Sequence, residues 1–376
     1  MTTFKSQLPE QEALIMNEMI YQQLAKVLDT LPNGFPATDS GIEHKILKRI
    51  FRPEDAALFC DLRLTFETAQ QISQRTGRPL GGLEEHLTAM HARGQIFMVN
   101  IEDTKVFKMV PWAFGIYEFQ CPHMDRELAE MCDAYMKVFG KQFFNAKPQL
   151  MQVVPVEKEI PNKQLALHYE QVSNIIENSR SFAVLECVCK KEKRLLDGGC
   201  DKPLEICTAY APIPGIFDNS PHYRAITKQE AYAVLNKAEE AALVHLTWNV
   251  ENGHFFICNC CGCCCHVLRG INELGIDAPS VINSCYFAQI DADACVACGT
   301  CKEERCQVNA IEEDEDVYRI VREKCIGCGL CLSTCPGDAI QLIRKDPETI
   351  ARPPMDEKEW FEKRGQARGV DFSKFI

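Results

Sequence analysis

The sequence predicts an α+β chain of several domains, and three observations carry that expectation. At 376 residues the length favours two or three domains, each with its own core. Apolar residues at helical spacing dominate the first part, and strand-like runs joined by Gly-containing turns appear further on. The 22 cysteines gather in dense groups after residue 180 and are nearly absent from the first hundred residues. These features divide the chain into a helical N-terminal domain (1–112), a connecting helix and linker (113–163), a central Cys-rich α+β domain (164–284), a Cys-repeat module (285–345) and a tail (346–376).

Composition excludes several classes. With 46% apolar and 25% charged residues, 21 Gly and 19 Pro, the chain is neither disordered nor collagen-like. A net charge of −12 opposes bulk electrostatic binding to nucleic acid or to anionic membranes. The N-terminal MTTFKSQLPEQEALIMNEMI lacks the basic start and unbroken apolar stretch of a signal peptide, and the most apolar window, residues 255–268, is too short to span a bilayer. A cytoplasmic, reducing location follows as the expectation, and there clustered thiols serve as metal ligands more often than as disulfides.

In the first domain, QEALIMNEMIYQQLAKVLDT reads as a helix stopped at Pro32-Asn33-Gly34, followed by IEHKILKRIF and by a helix opening at Pro53. ETAQQISQRTG and GGLEEHLTAMHARG add two more, and QIFMVNI and KVFKMV form a ribbon around Glu102-Asp103. Over residues 40–112 this order resembles a winged-helix domain. The recognition helix that the resemblance implies carries Glu84 and Glu85 against a single Arg93, and residues 1–110 hold 12 basic and 14 acidic side chains. Protein contact is therefore the expected role, with DNA binding gated by cluster oxidation as the rival.

The linker holds an amphipathic helix, MDRELAEMCDAYMKVF, and a strand, MQVVPVEKEI, with Pro155 and Pro161 marking a seam. The central domain begins with the helix QLALHYEQVSNIIENS and the strand FAVLE. Cys187 and Cys189 then share one face of an extended segment, with Cys200 and Cys207 beyond them. The cationic stretch Lys190–Arg194 favours thiolates nearby. Four thiols of this kind suit one [4Fe–4S] site, a zinc knot or a set of free thiols. A capping box at Thr227–Glu230 opens the helix AYAVLNKAEEAAL. A hairpin over Asn252-Gly253 leads to Cys258, Cys260, Cys261, Cys263, Cys264 and Cys265, placed at a strand-to-helix turn before HVLRGINELG. Six thiols exceed the needs of one mononuclear metal. They point to another [4Fe–4S] cluster, with two or more thiols left over or shared with the Cys187 group. His266, opening that helix, is expected to cap or pack, with metal ligation as the rival role.

The last cysteine group is a repeat: Cys295-x2-Cys298-x2-Cys301-x4-Cys306, then Cys325-x2-Cys328-x2-Cys331-x3-Cys335-Pro336. Two-residue gaps let a tight loop wrap three thiolates around one cubane, and small residues between them let backbone N–H groups reach its sulfurs. Zinc pairs do not explain a triple run made twice. Over residues 285–345 the chain resembles the bacterial two-cluster [4Fe–4S] ferredoxins. That resemblance implies a crossed assignment, in which Cys295, Cys298, Cys301 and Cys335 hold one cluster and Cys325, Cys328, Cys331 and Cys306 hold the other. Two departures are the extra residue before Cys306 and Gln307 in place of the Pro336 of the second half. Residues 290–340 hold 11 acidic and 5 basic side chains, and the run Glu312–Asp316 reads as a solvated hairpin tip or as a steering surface for a basic partner.

Four cysteines remain. Burial explains Cys60 and Cys132, Cys285 lies near the repeat as a supporting or reserve thiol, and Cys121 has no assigned role. In the tail, Trp360, Phe361, Phe372 and Phe375 either dock a partner or pack on their own chain. No GxGxxG, GxxxxGK[ST], GxSxG or HExxH fingerprint is present. The expectation is an iron–sulfur electron-transfer subunit of an anaerobic-type oxidoreductase system, passing single low-potential electrons through several [4Fe–4S] clusters to a flavin- or metal-containing partner. Its rivals are a redox-sensing regulator and a reductase with a catalytic cluster at Cys258–Cys265.

Overall fold

The computed structural model describes residues 10–160 and 170–376, with side chains from residue 15. The first nine residues, the start of the QLALHYEQ helix, Pro161 and the 163/164 boundary lie outside the described residues. The chain is an α+β fold of two compact units, one formed by residues 1–123, 130–139 and 369–376 and the other by 124–129 and 140–368.

In the first unit the helices Glu10–Thr30, Ile42–Ile50, Pro53–Phe59, Ala69–Thr76 and Leu83–Ala92 precede a ribbon of β1 (Phe97–Ile101) and β2 (Thr104–Lys108). Local chemistry sets these boundaries. Pro53 opens its helix; Thr68 and Gln71 form a reciprocal capping box, and Gly77, at φ 73°, closes that helix. Glu102 and Asp103 both take positive φ, 48° and 64°, which is how a two-residue hairpin turn matches the strand twist. Glu67 adds a third position to the ribbon by exchanging backbone hydrogen bonds with Phe107, 2.9 and 2.8 Å. Leu24, Leu28, Ile46, Leu58, Ile72 and Leu87 form a solvent-free interior. Phe372 and Phe375 are buried within this unit, and the Phe375 carbonyl accepts from the Leu64 N–H.

The second unit is built on a seven-stranded sheet. Its strands are β3 (Met151–Val153), β4 (Ser181–Glu186), β5 (Glu205–Ala211), β6 (Arg224–Ile226), β7 (Val244–Trp248), β8 (Phe256–Cys260) and β9 (Ile282–Asn283), in the spatial order β6-β4-β5-β8-β7-β3-β9. Every neighbouring pair is antiparallel except β3–β9. The helix Lys228–Glu240, capped by Thr227 as the sequence predicts, lays Ala231 and Leu235 onto Phe182, Tyr210 and Ile257. Two further ribbons follow, β10 (Tyr286–Ile290) with β13 (Ile340–Arg344) and β11 (Ile311–Asp314) with β12 (Val317–Ile320).

The tail helix Glu357–Arg368 packs on its own chain. Trp360 donates its indole N–H to the Gln149 carbonyl at 2.9 Å and meets Trp248 edge-on at 5.2 Å. Arg364 is fully buried, with its guanidinium donating to the carbonyls of Phe143, Ala146 and Pro148. The tail aromatics are thus internal anchors.

One local expectation is corrected. Cys187-x-Cys189 is not an extended segment: Cys187 caps the helix Val188–Leu195, and Cys189 sits in its first turn. KKEKRLL is made of good helix formers, and Lys190 and Glu192 turn inward from it, both fully buried.

Candidate metal centres

The repeat at 295–335 folds as two equivalent halves. In each, a strand (β10 or β12) leads into the CxxCxxC loop, and the remote cysteine leads into a strand (β11 or β13). Asn309 and Asp338 occupy matching positions and both take positive φ, 51° and 48°. These turns aim the N–H of Ala310 at Cys306 Sγ (3.2 Å) and that of Ala339 at Cys335 Sγ (3.3 Å). Ala288 N–H likewise donates to Cys325 Sγ at 3.3 Å. Gly327 is obligatory, because a Cβ there would stand 2.2 Å from the Tyr286 carbonyl oxygen.

Cys295, Cys298 and Cys301 line one cavity together with Cys335, the remote cysteine of the other half, and with Ile290, Tyr318 and Ile340. The second set is the converse. Cys306 and Cys325 are the thiols that act electrostatically on Cys328, and Cys328, Cys325 and Cys306 act on Cys331 ahead of Cys301 from the first set. Burial pushes the Cys328 thiol up to about 12. Four thiols around a shaped cavity, with backbone N–H groups already aimed at sulfur, fit a [4Fe–4S] cluster. The Glu312–Asp316 run forms the exposed β11–β12 turn, with Glu315 at φ 55°.

The ten upstream thiols do not group as they do in sequence. Antiparallel pairing of β4, β5 and β8 brings together Cys187 at the end of β4, Cys207 on β5, and Cys258 and Cys260 on one face of β8. Cys189 and Cys265 complete a ring in which each thiol shifts the protonation of the next, running Cys187, Cys189, Cys265, Cys260, Cys258, Cys207 and back to Cys187. Neighbouring thiols hold Cys187 and Cys265 below the usual thiol range, Cys189 and Cys207 acting on the first and Cys189 and Cys260 on the second. Both of these cysteines cap helices, at Val188–Leu195 and His266–Asn272. Cys200, Cys261, Cys263 and Cys264 form a separate group, with all four sulfurs within 4.8 Å of one another.

Two charged features stand beside the ring. Lys190 is fully buried and donates to the Asn259 carbonyl at 2.9 Å. Burial opposes its charge, but the thiols of Cys187, Cys207, Cys261 and Cys260 outweigh that and hold its pKa above the ordinary lysine value. Glu192, also buried, pairs with His266 Nε2 at 2.7 Å, so His266 packs beside the ring on a carboxylate. The one visible signal for Lys190 was its place in the cationic stretch after Cys189.

The repeat is joined directly to the Cys258–Cys265 loop. Gly262 N–H donates to Gln307 Oε1 at 2.9 Å, Asn272 Nδ2 donates to the Gln307 carbonyl at 3.0 Å, and a Cβ on Gly262 would lie 2.2 Å from that carbonyl oxygen. Gln307 therefore departs from the proline of the other half because this half is docked and needs an acceptor. Arg305 reinforces the joint, donating to the Glu239 and Glu240 carbonyls at 3.0 and 3.2 Å and to the Leu330 carbonyl at 2.9 Å. Gln307→Leu removes the acceptor while keeping volume. It is expected to lower the stability of the cluster-loaded protein by about 1 kcal/mol, read as a reduced Tm.

The remaining cysteines are packed. Cys60, Cys121 and Cys132 are buried in the first unit, with burial pushing Cys60 up to about 12. Cys285 lies among Ile160, Tyr286 and Leu342, with its thiol beside Glu170.

Fold and thiol geometry define an iron–sulfur protein with a ferredoxin-like module, and comparison with known proteins agrees. Residues 288–342 match the family model of the 4Fe-4S dicluster domain. A ferredoxin of Alicyclobacillus acidocaldarius is 39% identical over 85 residues, which are 23% of this chain and 90% of that protein. Through this segment the chain belongs to the 4Fe-4S dicluster ferredoxin family, and it carries [4Fe–4S] clusters. One component of an ion-translocating oxidoreductase complex from Methanosarcina acetivorans is 34% identical over 77 residues, 20% of this chain and 25% of the relative. An uncharacterised ferredoxin of Methanocaldococcus jannaschii is 34% identical over 92 residues, 24% of this chain and 52% of the relative. The chain thus spans a quarter of the first of these two and about half of the second. No solved structure matches the chain significantly. Among the described residues, no helix is long and apolar enough to cross a membrane.

Proposed function

We propose that this chain is a cytoplasmic iron–sulfur electron-transfer protein that relays single electrons between its dicluster module and a flavin- or metal-containing oxidoreductase subunit. The observation that carries the reading is the joint at Gln307. The residue next to Cys306 is hydrogen-bonded into the loop that bears Cys261 and Cys263, so the ferredoxin-type site and the central thiols share one continuous piece of structure. When bound, a [4Fe–4S] cluster supplies a one-electron couple. The protein's part is to hold the thiolates in fixed loops, to direct N–H groups at the sulfurs and to limit solvent around them.

In this reading Cys295, Cys298, Cys301 and Cys335 ligate one cluster, and Cys325, Cys328, Cys331 and Cys306 the other. The Cys187–Cys265 ring forms a third redox centre in the central domain. The acidic β11–β12 turn offers a basic partner an electrostatic approach. The ordering of helices before the β1–β2 ribbon, together with the Glu67–Phe107 pairing, supports a winged-helix-like N-terminal domain. Contact with protein suits it better than contact with DNA: Glu84 and Glu85 are exposed, and Arg93, the basic residue at the end of that helix, is bound to Asp55 at 2.8 Å. The relative named as a subunit of an ion-translocating oxidoreductase complex supports a protein partner. Iron and acid-labile sulfide counted on protein purified under nitrogen test the proposal. At least about eight of each per chain are expected from the module alone, and fewer would sink it.

A further inference from the structure

We propose that Cys200, Cys261, Cys263 and Cys264 form a mononuclear tetrathiolate site for one divalent ion, Zn²⁺ or Fe²⁺, distinct from the iron–sulfur clusters. The argument is one of size. Sulfurs at about 2.3 Å from a central ion at the corners of a tetrahedron are about 3.8 Å apart. Cys200 Sγ lies 3.7 Å from Cys261 Sγ and 3.9 Å from Cys264 Sγ, and Cys263 Sγ lies 3.7 Å from Cys264 Sγ. All four fall within 4.8 Å of each other. A cubane interposes iron and sulfide between its thiolates and holds them much farther apart, so four sulfurs this close surround one ion. An all-sulfur tetrahedron selects zinc or iron over the harder cations.

The surrounding backbone is shaped to permit this approach. Gly199, at φ 91°, delivers Cys200 across the loop, and a Cβ there would lie 3.1 Å from Cys264 Sγ. Gly262, between Cys261 and Cys263, is pressed against the Gln307 carbonyl where no side chain would fit, and the thiols on both sides of it reach the same point. Three of the four cysteines are buried or half-buried and Cys263 is exposed, so an ion can enter from that side. Binding is a proton exchange with no change of oxidation state. Each thiol releases its proton to solvent, and the ion gains four sulfur bonds. Two negative charges remain, and the buried Lys190 ammonium acts on Cys261 as a partial counter-charge. Placed between the ring and the Gln307 joint, the site pins the Cys258–Cys265 loop, and with Fe²⁺ it adds a one-electron station.

The inference stands apart from the electron-transfer reading, because cluster iron is accompanied by equal sulfide and this ion by none. Full-length protein purified under nitrogen is expected to hold one zinc or iron ion per chain in excess of its sulfide. Cys263→Ser/Cys264→Ser should lose that single ion and keep the sulfide and the cluster EPR signals of the parent. Loss of about four irons and four sulfides together would show a cubane and overturn the proposal, as would unchanged metal content. X-ray absorption at the zinc edge of the parent protein needs no variant. Where metal analysis finds zinc, four sulfur neighbours at about 2.3 Å are expected, and nitrogen or oxygen in the shell refutes the site. Where it finds excess iron, the high-spin ferric signal of an Fe–S₄ centre on mild oxidation is expected, and its absence refutes the site.

Discussion

Cys335→Ala is expected to empty the cluster site built on Cys295, Cys298 and Cys301, in the other half of the repeat, and to spare the one built on its own CxxCxxC run. The expected loss is about four irons and four sulfides per chain. Cys306→Ala should do the converse. The reason is geometric. Cys335 lines the same cavity as Cys295, Cys298 and Cys301, and its sulfur is held there by the Ala339 N–H. Cys306, held by the Ala310 N–H, belongs among the thiols of Cys325, Cys328 and Cys331. A run-wise assignment predicts the reverse pattern, so the two variants decide between them. The readout is EPR of the fully reduced protein, in which two neighbouring paramagnetic clusters broaden each other. Each variant should show one narrowed signal, and the two signals should differ. Identical spectra from the two variants, or loss of both clusters in each, would count against the crossed arrangement.

Much of this module was legible in the sequence, because its ligands are close in sequence as well as in space and its two halves repeat. The β1–β2 turn at Glu102-Asp103, the Thr227 capping box and the hairpin before Cys258 were legible for the same reason: each is fixed by chemistry within a few residues. The central thiols were not. Cys260 and Cys261 are adjacent, yet one belongs to the six-membered ring and the other to the tetrathiolate group. Alternation along β8 aims Cys258 and Cys260 together, and the strand ends at Cys260, so the alternation does not extend to the thiols that follow. Which thiol meets which depends on the pairing of β4, β5 and β8, three strands far apart in sequence. The cationic stretch Lys190–Arg194 was legible as a partner for thiolates, but not that Lys190 is its buried member, because which residue turns inward depends on the strands packed against that helix. Gln307 was visible as a departure from the repeat, but its meaning lay in Gly262, 45 residues away.

Lys190→Met is expected to be the most damaging substitution outside the cysteines. Methionine keeps much of the lysine stem and its packing, so the change isolates the charge. In the parent the ammonium is fully buried, bonded to the Asn259 carbonyl, and surrounded by the thiols of Cys187, Cys207, Cys261 and Cys260. Those thiols are anionic once they bind metal, and a buried anionic centre that loses its counter-charge is destabilised by about 3–5 kcal/mol. The holoprotein should therefore unfold at a markedly lower temperature and yield less metal in the central domain. The charge also sets the electron affinity of the ring. Adding an electron to a centre already negative becomes harder without the ammonium, so its reduction potential should fall, by about 59 mV for every 1.4 kcal/mol of attraction lost. The dicluster module provides the internal reference, because its ligands lie elsewhere and its potentials should hold. A purely packing role for Lys190 predicts a lower Tm with no change in any potential. That combination would show the lysine to be structural filling, and the ring to be neutralised by something else.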